Sequence, residues 1–379
     1  MVKNYQVCSR CVMDTTVPEI VFDDKGVCQF CGLHDELVKI YPDDRNSRKE
    51  KLELLLEEIK RTGKGKKYDC VCGVSGGRDS SWLLLKVVEL GLRPLAVHFD
   101  NGWNSEIAVS NIKKTCEKLN VDLETYVVDW HEFRDIQLSM LKGSTPDVEV
   151  PTDVAIHTVL HHYAAKENIK FVLNGHSFRT EGISPRGWTY MDGLYIESVH
   201  KKFGSAKFET FPNFKMWDYF YYSYVKRVKV YPIINLLEYE HESAMKELEQ
   251  KLDWKYYGGH HHENYYTKFI QSYLLPKKFN IDKRKTELSA LIRSGQVSRD
   301  EAIATLSKSE YEFDKTLIDY ILPKLEITKT DWDNIFSMKP KSFLDYRTYY
   351  PLVRFLKVPI RIAAQLGLVP RLLYFKFLG

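Results

Sequence analysis

The chain has 379 residues, 44% of them hydrophobic and 28% charged, with a formal net charge of +4. This composition excludes a disordered or fibrous chain and fits two or three globular domains. The small basic bias suits a phosphate-bearing substrate and does not require nucleic acid as a partner.

The opening MVKNYQVCSRC has no long apolar run, so no signal peptide is expected. No stretch reaches the ~18 uncharged apolar residues of a transmembrane segment. A cytoplasmic protein is the expectation. There are seven cysteines, four of them in pairs, which points to metal rather than disulfides in a reducing compartment.

Residues 1–48 read as a zinc-knuckle module. Cys8 and Cys11 form one CxxC, Cys28 and Cys31 another, with sixteen residues between the pairs. Each knuckle turns two thiolates to one side, and two knuckles supply four soft ligands suited to tetrahedral zinc. Val21–Val27 reads as a tight hairpin lifting the second knuckle towards the first. Four cysteines close the coordination shell, so the zinc is expected to be structural and to supply much of the module's folding free energy.

Residues 49–62 read as an amphipathic helix. Next comes YDCVCGVSGGRDSSWLLLKVVEL, Tyr68–Leu90. Its apolar run around Val71 and Val74 predicts a buried parallel strand, and Trp82–Leu90 predicts a helix. Between them stands Ser75-Gly76-Gly77-Arg78-Asp79-Ser80-Ser81. Glycines let the backbone approach an oxyanion, and the first helical turn presents N–H groups and the positive dipole end to it. GxxxxGK[ST] and GxGxxG are both absent. The SGGxDS stretch resembles the PP-loop of ATP pyrophosphatases, which cleave ATP between the α and β phosphates. That resemblance implies ATP binding by Ser75, Gly76, Gly77, Asp79, Ser80 and Ser81.

Gly91 ends this helix, and Leu95–Phe99 is a second strand ending in Asp100-Asn101. Ligands bind at strand carboxyl ends in open parallel sheets, which places Asp100 and Asn101 to touch ATP. A helix over 105–119 and a third strand, Leu123–Val128, follow. The helix after Pro151 carries His157, His161 and His162; without an HExxH glutamate they read as ordinary partly buried histidines rather than a metal site. A fourth strand, Lys170–Leu173, ends in Asn174-Gly175-His176. Gly175 leaves backbone room for the nucleotide, and Glu181 is placed to hold magnesium, which wants oxygen ligands shared with phosphate. Residues 183–225 are aromatic and poorly periodic, compatible with a packed loop or a stacking surface for a base or sugar. A fifth strand lies within Lys226–Ile234, and Tyr239–Leu252 reads as a charged helix. The alternation predicts an α/β fold with a doubly wound parallel five-stranded sheet over 49–253.

Residues 254–379 read as a helical substrate or partner region. WKYYGGHHHENYYTKFIQSYLLPKKFNIDKRK joins His260, His261, His262 and Glu263 to aromatics and to Lys277, Lys278, Lys283, Arg284 and Lys285. Cations beside aromatics suit a phosphorylated substrate or pyrophosphate. Residues 286–326 read as helical, with Ser298-Arg299-Asp300-Glu301 as a capping start. The tail from Pro351 holds five Lys or Arg and no acid. It reads as a terminal helix pair packed on the body, with docking on a membrane surface or a partner as the alternative.

Together, CSRCVMDTTVPEIVFDDKGVCQFC, VSGGRDSSW, HFDNGW, NGHSFRTEG and YYGGHHHENYYTKFIQSYLLPKKFNIDKRK resemble the N-acetyl-sugar amidotransferases of bacterial surface-polysaccharide and flagellin-sugar pathways. The resemblance runs over essentially the whole chain. His260 departs from a lysine common in that family, whereas His261, Glu263 and Thr267 fit it. The resemblance implies that ATP activates a sugar N-acetyl oxygen as an adenylate, that ammonia displaces AMP, and that an acetamidino group remains. It implies Arg78, Asp79 and Glu181 as catalytic residues and His261, Glu263, Lys277 and Lys278 as substrate-binding residues, with ATP, Mg2+ and Zn2+ as cofactors. Residue 2 is Val, and Cys70, Cys72 and Cys116 lack a GxCxG setting, so no glutaminase is built in. The resemblance implies separate partners, a glutaminase subunit and a barrel subunit like those of histidine biosynthesis, and a nucleotide-sugar substrate of lipopolysaccharide O-antigen assembly. The rival readings are a zinc-containing PP-loop tRNA thiolase and a noncatalytic nucleic-acid-binding zinc module. The first uses extra catalytic cysteines and a strongly basic surface; the intact phosphate loop argues against the second.

Overall fold

A computed structural model describes residues 5–259, 262–308, 314–366 and 369. Helices α1 (Gln29–Ile40) and α2 (Arg45–Gly63) lead into β1 (Cys70–Gly73), α3 (Arg78–Glu89), β2 (Pro94–Asp100), α4 (Glu106–Leu119), β3 (Leu123–Val127), α5 (Trp130–Gly143), α6 (Val150–Lys166), β4 (Phe171–Leu173), α7 (Gly193–Phe203) and β5 (Lys229–Tyr231). The five strands are all parallel, in the order β3-β2-β1-β4-β5.

Strand alternation sorts the core into two layers. Val71, Leu95, Val97 and Val172 face one side, where Phe133, Ile136, Val154 and Val159 of α5 and α6 cover them. Cys70, Cys72, Ala96, Phe171 and Leu173 face the other, against Ile59 of α2, Leu83, Leu84 and Val87 of α3, and Ile112 of α4. Each fully buried leucine contributes about 2 kcal/mol. Being covered on both faces, β1 reads as a continuous apolar run, whereas edge strand β3 alternates exposed and half-buried positions. Gly91, at φ +74°, ends α3 in the left-handed conformation that glycine adopts freely.

The chain winds β1 to β3 outwards and then returns to the other side of β1 with β4. The carboxyl ends of β1 and β4 therefore flank the topological switch point.

Helices α1, α5 and α7 are among those that go beyond the sequence expectations. α5 starts where Asp129 accepts the Glu132 N–H at 2.9 Å, and α7 where Asp192 accepts the Leu194 and Tyr195 N–H groups. α7 packs along α5 and lies within the stretch expected to lack periodicity. Buried carboxylates fix the loop around it. Asp135 accepts from His200, Ser205 and Ala206, and Glu132 from Glu209 and Thr210. The packed reading of this aromatic stretch holds for Phe208, Phe211 and Phe214, while Trp217, Phe220 and Tyr224 are exposed. His161 is buried against Phe214 and Tyr222 and bonds the His157 carbonyl, an ordinary core histidine.

Residues 286–326 contain the ends and bodies of three helices, Arg284–Arg293, Arg299–Lys308 and Thr316–Lys324. Ser298 and Glu301 form the expected reciprocal cap. The first two of these helices dock on the N-terminal knuckles. Arg299 donates to the Cys8 and Cys11 carbonyls at 3.0 and 3.2 Å, Lys285 pairs with buried Asp14 at 2.6 Å, and Ser289 Oγ accepts the Val12 N–H. No helix among the described residues is long and apolar enough to cross a membrane.

Candidate nucleotide site and cysteine centre

The phosphate loop runs from β1 into α3. Gly76 stands at φ +77°, and a β-carbon there would fall on the Ala108 carbonyl of α4. Its own carbonyl accepts from Asn111 Nδ2 at 3.2 Å and Trp254 Nε1 at 3.0 Å, which locks the turn. Hydroxyls of the loop pair with one another: Ser75 Oγ lies 3.1 Å from Ser80 Oγ and accepts the Gly77 N–H at 3.2 Å. Gly77 caps α3 and brings no side chain of its own to the helix end.

Ser75, Gly77, Arg78, Asp79 and Ser80 line one wall of a cavity of about 220 Å³. Asn174, Gly175, His176 and Glu181, beyond β4, line another, with Tyr257 and Glu263 closing it from the C-terminal region. Gly175 sits against the Asp79 backbone; a β-carbon there would lie 3.4 Å from the Asp79 carbonyl oxygen.

Arg78 Nε donates to Asp79 Oδ1 at 2.7 Å and to Tyr239 Oη at 2.9 Å, and Tyr239 also bonds Asp79. Burial opposes the guanidinium charge, but Asp79 and Tyr239 outweigh it and keep Arg78 cationic. Tyr257 Oη accepts the Arg78 N–H at 3.2 Å, the first amide of α3. Burial pushes both tyrosine hydroxyls well up, so they remain protonated donors. Glu181 holds the next loop: its Oε2 lies 2.8 Å from His176 Nδ1, and its Oε1 accepts the Ser177 N–H at 3.1 Å.

Not all sequence-predicted residues meet here. Ser81 is buried beneath the loop rather than in the cavity wall. Asp100 accepts the Gly102 N–H, and buried Asn101 accepts from Trp103 and Asn264; neither lines the cavity. The Asn101 contact joins the loop after β2 to the segment carrying Glu263, whose carbonyl accepts the Ser105 N–H at 2.8 Å. Lys277 is exposed. Lys278 donates to the Ile335 carbonyl at 2.6 Å, and burial brings its ammonium down to about 8. Lys283, Arg284 and Lys285 pair with Glu149, Asp282 and Asp14, so the basic group is spread over several contacts. His260 and His261 lie outside the described residues.

Sequence reasoning passed over Tyr239, Tyr257, Asn111 and Trp254. Tyr257 sits in the family-like YYGG stretch, which was a usable signal. The other three reach the loop only through the fold.

The four paired cysteines converge. Sγ separations are 3.9 Å for Cys8–Cys31, 3.7 Å for Cys11–Cys28 and 3.8 Å for Cys28–Cys31, and all four atoms lie within 4.8 Å of one another. A tetrahedron with metal–sulfur bonds of about 2.3 Å has edges of roughly this length. The donor set therefore fits one tetrahedral ion. Thiolates of a four-iron cluster bind four different irons and stand farther apart. The Cys8 sulfur also accepts from the Arg10 and Cys28 N–H groups.

Comparison with known proteins bears on the phosphate loop and on the C-terminal region. Residues 69–182 match the family model described as queuosine biosynthesis protein QueC, and residues 263–358 match that of the LPS biosynthesis protein WbpG-like C-terminal domain. The core is thus of the PP-loop ATP pyrophosphatase class, an ATP-using α/β fold. To it the chain joins a WbpG-like C-terminal domain. The uncharacterized protein MJ1599 of Methanocaldococcus jannaschii is 32% identical over 143 residues, 37% of this chain and 48% of that protein. The 7-cyano-7-deazaguanine synthase of Sulfurimonas denitrificans is 34% identical over 86 residues, 22% of this chain and 38% of that protein. The chain thus spans less than half the length of these curated relatives. Among solved structures, NMN synthetase from Francisella tularensis aligns with 79% of this chain and 98% of its own, at 14% identity and a TM-score of 0.32.

Proposed function

We propose that this protein is an ATP-dependent amidotransferase that converts a sugar N-acetyl group into an acetamidino group, on a nucleotide sugar of O-antigen assembly. The observation that carries the reading is the entry of Glu263, from the WbpG-like region, into the wall of the PP-loop cavity. The PP-loop and the WbpG-like region thereby border one cavity.

An amide carbonyl is a poor electrophile and its oxygen a poor leaving group. In the proposed reaction, the acetamido oxygen attacks the α-phosphorus of ATP and pyrophosphate departs. Ammonia adds to the imidate carbon, AMP leaves with the oxygen, and loss of a proton gives the amidine. The PP-loop amides and Arg78 would bind the polyphosphate and stabilise the departing charge. Phosphate oxygens would take over the Arg78 N–H now held by Tyr257. Asp79, Glu181 and Glu263 offer hard oxygen donors in one cavity, the donor chemistry that fits magnesium; the ion would neutralise charge on the phosphates. Positioning of sugar and nucleotide supplies much of the remaining acceleration. The segment around Glu263 would bind the sugar, with His261 among its residues. A partner glutaminase and a barrel subunit would supply ammonia. Zinc in the four-cysteine centre would be structural, since four protein ligands leave no open position.

The thiolase reading finds no support in the cysteines. All seven are buried and none lines the cavity. Burial pushes the Cys116 thiol up to about 11, away from the reactive thiolate.

The test is AMP and pyrophosphate release with ATP, magnesium, ammonium and UDP-diacetamido sugars, with the sugar followed by mass spectrometry. Exchange of oxygen for NH in the sugar, matched to AMP, is the expected result. AMP formation only with tRNA and a sulfur donor would overturn the reading.

A further inference from the structure

The helices Tyr350–Phe355 and Lys357–Gln365 are amphipathic in the inverse sense of a helix packed on a protein body. Phe355 is 84% exposed, Val358 65%, Ile362 51% and Leu366 69%, while small Ala364 is buried. The helical ladder continues across the join, with Leu356 N–H bonded to Leu352 O and Ile360 N–H to Leu356 O, both at 2.9 Å. At 3.6 residues per turn Phe355, Val358, Ile362 and Leu366 share an arc of about 80°, Leu352 and Leu356, also exposed, widen it to about 160°, and Ala364 falls opposite. Arg354, Lys357 and Arg361, all exposed, fall in a neighbouring arc of about 60°. Residues 351–366 contain no Asp or Glu.

A helix that serves only to cover the body turns its large apolar residues inwards. Here they face out, beside a stripe of a single sign. A second copy meeting this face would bring cation against cation. An anionic headgroup layer meets both halves at once, taking the apolar arc at the acyl boundary and the cations at its phosphates. We propose that this face seats the protein on an anionic lipid surface. The inference is independent of the reaction assigned above.

The experiment is co-sedimentation of the full chain with vesicles of phosphatidylcholine alone or mixed with phosphatidylglycerol. Binding is expected to the mixed vesicles, with release at high salt. The double variant Phe355→Ser/Ile362→Ser is expected to lose at least about tenfold in binding. Arg354→Gln, Lys357→Gln and Arg361→Gln are each expected to lose about fivefold. All should keep the wild-type melting temperature and ATP turnover. Failure to bind either vesicle, or equal binding to both, would overturn the proposal. So would a dimer that does not bind vesicles and that the double serine variant dissociates, which would make this face a self-interface.

Discussion

Glu263 Oε1 lies 2.9 Å from the point where a β-carbon on Gly77 would stand. The carboxylate of the C-terminal region and the cap of α3 thus bound the same small volume. The nearest atoms to that β-carbon are side-chain oxygens of Glu263 and Ser75, which can move. Gly77→Ala is therefore expected to fold with little change in melting temperature and to lower AMP formation at least about tenfold by misplacing them. Glu263→Gln, which keeps the shape and removes the charge, is expected to lower kcat by about 10²-fold. Steady-state kinetics beside thermal denaturation checks both.

Gly76 should behave differently. Its φ of +77° is strained for any other residue, and the obstacle at its missing β-carbon is the Ala108 backbone, which cannot swing aside. Gly76→Ala is expected to cost about 1–3 kcal/mol from backbone strain alone. A lowered midpoint in denaturant-induced unfolding is the readout.

The cysteine geometry predicts one tetrahedral ion per chain. Elemental analysis should find zinc at equal molarity, with no visible absorption from an iron–sulfur cluster. Cys11→Ser or chelation should lower the melting temperature sharply, because metal binding and folding of this module are coupled. A brown protein with several irons per chain would contradict the prediction.

Acid stability offers a separate check. Burial pushes the Glu247 carboxyl up, but hydrogen bonds from Lys251, Lys86 and Trp82 outweigh it and bring it down to about 2. A carboxyl depressed in the folded state stabilises above its unfolded value and loses that contribution as pH falls through the folded one. The contribution of Glu247 should therefore be full at neutral pH and fade from about pH 4.5 towards about pH 2. Melting curves across that window should be flatter for Glu247→Gln than for the wild type.

The sheet was legible because β1, β2 and β4 are buried on both faces and read as continuous apolar runs. The loop after β1 was legible because glycine, serine and aspartate are local requirements of an anion turn. α5 and α7 were passed over although each carries a helical stripe, Phe133, Ile136 and Met140 in one and Tyr195, Ile196 and Val199 in the other; buried polar residues such as Glu132, Asp135 and His200 break up the apolar run in sequence. Tyr239 and Asn111 lie 160 residues and 35 residues from their partners in the loop, and no local pattern announces such contacts. The basic group in sequence disperses in space for a like reason: Lys278 donates to the Ile335 carbonyl, while Lys283 and Lys285 pair with Glu149 and Asp14.

The clasp between Arg299 and the Cys8 carbonyl joins residues 291 positions apart. A ribosome releases the knuckles first and adds residues at about 5–20 per second, so their buttress follows well after them. During that interval a bound metal would be the module's one support. Ion capture would then belong to the earliest stage of synthesis, with the late helices seating on a knuckle already closed.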